Sequence, residues 1–141
     1  MTIYAENVNY WKTSTSAADT WIERAKKEIE TIGGTILSEA YGNQGDRAAF
    51  MLLFEIAGDT FKAIWPVLES ESGNQKAAKI QAATMLYHDV KAKCVSAKVL
   101  GARKAFFGFM LLSDGRVASE TGGNEIAALV PPMLMATVSA E

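Results

Sequence analysis

Apolar residues recur at helical spacing from Trp21 through Ile22, Ala25 and Ile29 to Ile32, while Lys and Glu fill the opposite face. This pattern predicts an N-terminal helix that opens near Ser16 and closes at Gly33-Gly34. Ser16 is the expected N-cap, Asp19 favours the positive end of the helix dipole, and glycine suits the left-handed closing position. Three runs of strand character follow. Residues 35–41 (TILSEAY) form the first and 42–46 (GNQGD) the turn. Residues 47–57 (RAAFMLLFEIA) form a strongly apolar second strand, and Gly58-Asp59 a tight hairpin turn. Residues 60–67 (TFKAIWPV) form the third, with Pro66 marking its end or an edge. After a polar loop at 68–74, residues 75–100 contain neither Gly nor Pro and are rich in alanine, which predicts one long helix ending at Gly101.

The remainder is less regular. Residues 104–116 (KAFFGFMLLSDGR) fit a fourth strand ending in a Ser-Asp-Gly turn or a short buried helix, with helix or irregular structure favoured for the first half. Asn124 is the expected cap of a short helix that must stop or kink at Pro131-Pro132. The expected architecture is α+β: an N-terminal helix, a three-stranded antiparallel sheet, a long helix packed on it (αβββα), then a short C-terminal extension. With 141 residues, a single domain spanning 1–141 is expected.

Composition narrows the function classes. The chain is 49% hydrophobic and 21% charged, and one cysteine excludes an internal disulfide, which fits a reducing cytoplasm. No apolar run approaches the length of a membrane span, and residues 1–15 lack the apolar core of a signal peptide. A cytoplasmic protein without a membrane partner is expected. The net charge of −2 hides a strong asymmetry: residues 1–72 carry −5, residues 73–104 carry +6, and residues 105–141 carry −3.

The only histidine and the only cysteine lie in one stretch, YHDVKAKC (87–94). On a helix, His88 and Cys94 point about 120° apart, and Asp89 lies about 100° from His88. They cannot form a Cys/His/Asp constellation by themselves, and no second histidine supplies a metal pair. A catalytic role would need His88 to meet a carboxylate or hydroxyl from another segment. The motifs GxGxxG, Walker A, GxSxG and HExxH are absent. The segment 121–125 (TGGNE) offers only a weak anion-binding pattern. No catalytic residue, metal site or cofactor is therefore expected.

On the same helical wheel, Lys76, Lys79, Lys91 and Lys98 fall within an arc of about 120°, and Arg103 and Lys104 extend the charge past Gly101. A cationic ridge of this length suits a polyanion, because phosphates need point charges at intervals and no shaped pocket. The same pattern also fits a solvated helix face. Ile80, Tyr87, Val90 and Cys94 share the arc, so both sides of the helix are expected to be partly covered.

Two resemblances bear on this. The helix–three strands–helix order over residues 16–100, with Lys76, Ala78, Lys79, Ala82 and Ala83 opening the last helix, resembles a double-stranded RNA-binding domain. In that family such lysines meet phosphates across the major groove. The chain departs from it at Gln75, at the 42–46 turn, which lacks a Pro-His pair, and in the length of the last helix. The whole chain is also similar to small proteins of phages and mobile bacterial elements. That likeness rests on the helix closed by Gly33-Gly34, FMLLFEIAGDTFKAIWPV, KAKC and FFGFMLLSDGR. It implies a cytoplasmic, non-secreted protein. The expected function is a non-enzymatic nucleic-acid-binding or nucleoprotein-associated module, with Lys76, Lys79, Lys91, Lys98, Arg103 and Lys104 on phosphates. The alternative is a homo-oligomeric structural or protein-interaction subunit. Its basis is the set Phe106, Phe107, Phe109, Met110, Met133 and Met135, which is either core or an interface patch.

Overall fold

A computed structural model of the chain describes residues 2–120. A 3-10 turn at Ala5–Asn7 precedes helix α1 (Ala18–Thr31). Strands β1 (Thr35–Gln44), β2 (Arg47–Ile56) and β3 (Asp59–Pro66) follow, then helix α2 (Gln75–Leu100) and the short helix α3 (Ala102–Ala105). The chain continues through 3-10 turns at Phe107–Phe109 and Ala118–Glu120. The fold is therefore α+β, in the expected order, with a short extension after α2.

In α1, Ala18, Ile22, Ala25 and Ile29 recur every three or four residues and are buried, so the predicted stripe is the packing face. Its start differs from expectation. Ala17, not Ser16, flanks the first turn, and no side chain caps it. Trp21 Nε1 donates to Ser14 Oγ at 2.7 Å, and the Ser16 backbone N–H donates to that same oxygen at 3.0 Å. Ser16 is thereby held in a local turn with Ser14. At the other end Gly33 has φ +91°. A Cβ at Gly34 would lie 2.5 Å from Ile29 Cγ2 and 2.9 Å from the Ile29 carbonyl oxygen, so the strand can leave the helix this tightly only without a side chain.

The sheet is antiparallel in the order β1-β2-β3. β1 runs three residues beyond the predicted 35–41. Gly42, Asn43 and Gln44 pair with Ala49, Ala48 and Arg47, which shortens the turn to Gly45-Asp46. The second turn is Ala57-Gly58, one residue earlier than predicted, with φ of 52° and 87°; Asp59 already pairs with Ile56. Two left-handed residues match the twist of a two-residue hairpin. Along β2, Phe50, Leu52, Phe54 and Ile56 alternate onto the buried face.

Helix α2 is capped by Asn74, whose Oδ1 accepts from the Ala77 N–H at 3.1 Å. Ala78, Ala82, Ala83, Leu86, Val90 and Cys94 are buried along its length. Alanine at these sites lets α1 approach one side while the sheet and the segment after α3 approach another. Phe106, fully buried, closes the core against Phe54 and Phe61 with ring centroids 5.4 and 5.6 Å away.

Residues 101–116 form no regular fourth strand. α3 and a 3-10 turn fill the first half, followed by single bridges from Met110 to Phe61 and from Leu111 to Val117. Of the aromatic and Met set, Phe106 is core, Phe107 is exposed, and Phe109 and Met110 are half-buried. The predicted Asn124 helix, the segment 121–125, Met133 and Met135 lie outside the described residues. Among the described residues no helix is long and apolar enough to cross a membrane.

Candidate nucleic-acid interface

The side of α2 that carries the lysine arc is also the side on which α1 packs. Ala17, Ala18 and Asp19 at the start of α1 share a shallow pocket with Lys76, Lys79 and Ile80. Thr31 and Ile32 at its end share another with Ala97 and Lys98. The two helices thus run in the same direction, and the lysines fringe α1. Lys76 to Lys98 spans about 33 Å at 1.5 Å per residue. Lys79 is half-buried with its ammonium 4.1 Å from the Tyr41 ring centre. Lys91 is exposed, 5.8 Å from the Tyr87 ring centre. Arg103 leaves this side and binds Asp59 through two hydrogen bonds of 2.9 and 3.0 Å. That pair raises the arginine's pKa and lowers the aspartate's. Lys104 is exposed on α3. The structure brings Lys76 and Lys79 together at one end of α1, and separates them from Lys98, Arg103 and Lys104.

His88, Asp89 and Cys94 do not converge. Asp89 accepts from Lys93 Nζ at 2.7 and 2.8 Å. Cys94 is 2% exposed, and burial, with Glu28 nearby, pushes its thiol up to about 11. At neutral pH it is a buried thiol and no nucleophile. Among the described residues no group of three His, Cys, Asp or Glu side chains is placed to hold a metal ion.

His88 instead joins a cluster of rings that the sequence reading did not assemble. Its ring stacks on Tyr10 with centroids 4.8 Å apart and planes 11° apart. Trp21 lies 5.9 Å from His88 and 5.3 Å from Tyr87, and Tyr87 lies 5.1 Å from His88. All four rings are half-buried, so each keeps an open edge or face. Exposed cations stand around them. The Arg24 guanidinium lies over Trp21 at 4.6 Å, Lys91 over Tyr87, and Lys12 over the adjacent Trp11 at 5.7 Å. Such cation–ring contacts hold charge beside an apolar surface without neutralising it.

Three elements build this surface, and the N-terminal arm is the least regular of them. Tyr10 and Lys12 have φ of 72° and 54°, left-handed conformations that cost non-glycine residues about 1–2 kcal/mol each. The arm is held in that shape from below. Fully buried Gln81 on α2 donates through Nε2 to the carbonyls of Ala5, Val8 and Asn9 at 2.8, 3.2 and 3.0 Å. Its own Oε1 is buried and has no hydrogen-bond partner among the described residues. Glu6 anchors the other end of the arm. It accepts from the Ser72 hydroxyl and N–H, the Ser70 hydroxyl and the Glu71 N–H. These donors, led by the Ser72 hydroxyl, hold the Glu6 carboxyl well below the usual carboxylate range.

A half-open aromatic cluster edged by cations that form no ion pair among the described residues is suited to planar, anionic ligands: rings accept stacking and cations accept phosphate. One signal in the sequence pointed this way. Tyr10-Trp11-Lys12, Trp21 with Arg24, and Tyr87-His88 with Lys91 each place a cation one to four residues from a ring. Only the tertiary structure puts the three groups side by side. Comparison with protein families, with curated proteins and with solved structures finds no match to this chain.

Proposed function

We propose that the protein is a non-enzymatic nucleic-acid-binding module whose contact surface is the Tyr10–Trp21–Tyr87–His88 cluster with Lys12, Arg24 and Lys91. The supporting observation is that Trp21, Tyr87 and His88 contact one another, Tyr10 stacks on His88, and these half-buried rings have exposed cations on their faces and borders. Lys91 links this surface to the lysine arc. Bases stack on the rings or on the Arg24 plane, and backbone phosphates meet the cations. Unstacked bases are required for that, so single strands bind in preference to duplex.

The test is tryptophan fluorescence titrated with single-stranded and duplex oligonucleotides at low salt. The expected result is micromolar binding that favours the single strand. Three cations predict a slope of log affinity against log salt of about −2. Tyr10→Ala and the pair Arg24→Ala/Lys91→Ala weaken binding about tenfold or more, on the order of one lost stacked base. Arg103→Ala and Lys104→Ala leave it unchanged. Absence of binding at tens of micromolar removes the reading. A loss confined to substitutions at Lys76, Lys79, Lys98, Arg103 and Lys104 would move the site to the outer lysines.

A further inference from the structure

The two edges of the sheet are treated differently. On β3, the Leu111 N–H donates to the Thr60 carbonyl at 2.8 Å, Met110 bridges Phe61, Lys62 stands on the strand, and Pro66 ends it. A covering segment, a lysine and a proline are all means of closing an edge to further strands. Among the described residues β1 has none of these. It is ten residues long, and Glu39 is its only charged residue. Of positions 35–43 only Ile36 is less than exposed. Among the described residues no strand or bridge pairs with its outer side.

We propose that β1 is a self-association site at which a second copy of this chain pairs antiparallel, with the two-fold axis at Ala40. Charge sets the register. Glu39 and Tyr41 lie on the helix-covered face, since they pair with Leu52 and Phe50. Lys79 lies over the Tyr41 ring. Centring the axis on Tyr41 would bring two Lys79 ammoniums together, and centring it on Glu39 would oppose two carboxylates. Centring on Ala40 places Glu39 of one copy opposite Tyr41 of the other, beside Lys79. Glu39, already bound to its own Lys26, then gains a second cation across the axis. Ser38 falls opposite Gly42, so no bulky pair meets on the other face. The bulge between Ile36 and Ser38 ends the regular ladder near the limit of this overlap. The result is a continuous six-stranded sheet with each exposed backbone edge satisfied by an identical one.

The test uses full-length protein. Light scattering across a concentration series reports a dimer for the wild type. Ala40→Cys, under mild oxidation, forms a covalent dimer, because opposite Cα atoms in an antiparallel pair are about 4.5–5.5 Å apart, within disulfide reach. Ser38→Cys alone does not cross-link, being four positions from its copy, but it does cross-link with Gly42→Cys. The native thiol, Cys94, is buried and leaves a clean background. Glu39→Lys and Lys79→Glu each weaken the dimer at least tenfold, and the double exchange restores it. A monomer at about 100 micromolar overturns the proposal and leaves the edge to a strand from another protein. A dimer in which Ala40→Cys cross-links no faster than Ser38→Cys also overturns it, because association then uses another surface.

Discussion

Replacing Gln81 by Met tests the link between a buried amide and the aromatic surface. Gln81 is fully buried, and its Nε2 serves three carbonyls of the arm, at Ala5, Val8 and Asn9. Methionine keeps the volume and removes the donors. Each hydrogen bond is worth about 0.5–1.5 kcal/mol net, and a carbonyl left buried without a partner costs about 1–3 kcal/mol. Two of the contacts, at 2.8 and 3.0 Å, are well within bonding distance; the 3.2 Å contact shares the same two hydrogens. Removing the unpartnered Oε1 offsets part of the loss. The expected net cost is about 1–3 kcal/mol. It is limited from above because the arm can lift off and give its carbonyls to water. Thermal unfolding should fall by about 4–10 °C. Tryptophan emission should shift to the red as the arm carrying Trp11 detaches, and oligonucleotide affinity should drop with it as Tyr10 leaves His88. A change below about 0.5 kcal/mol with unaltered emission would refute the reasoning, because the arm would then be held by something other than this amide.

Glu6 has a folded-state pKa below its unfolded value near 4.5, so its contribution is complete above that pH and is lost as pH falls toward the folded value. Wild type should therefore exceed Glu6→Gln in thermal stability at pH 7, and the gap should narrow progressively in melts taken at falling pH below about 4; a gap independent of pH would contradict the carboxylate's role. Gly34→Ala sets a methyl group 2.5 Å from Ile29 Cγ2 and 2.9 Å from its carbonyl. Urea unfolding should show a loss of about 1–3 kcal/mol, and an unchanged midpoint would mean that the α1–β1 junction yields freely.

Much of the fold was legible because its signals are local. Apolar spacing marked α1 and the sheet, and the absence of Gly and Pro between Gln75 and Leu100 marked α2. The misses came where a partner outside the periodic pattern intervened. Ser16 lost its capping role because Trp21, five residues on, pins Ser14. β1 reached Gln44 because Ala49, Ala48 and Arg47 on β2 offered partners to Gly42, Asn43 and Gln44. The lysine arc was a position on a helical wheel, and a wheel carries no record of what packs against it. Ile80, Tyr87, Val90 and Cys94 in that arc were the hint that this side would be partly covered, and α1 is what covers it.

The amino-acid sequence by itself determined the elements, their order and the apolar faces, since each depends on neighbours within a few residues. Only the tertiary structure decided which cations stay beside open rings, that Tyr10 meets His88 across 78 positions, and that among the described residues β1 rather than β3 keeps a bare edge. Those outcomes depend on contacts between segments far apart in the chain, whose energies no local pattern encodes.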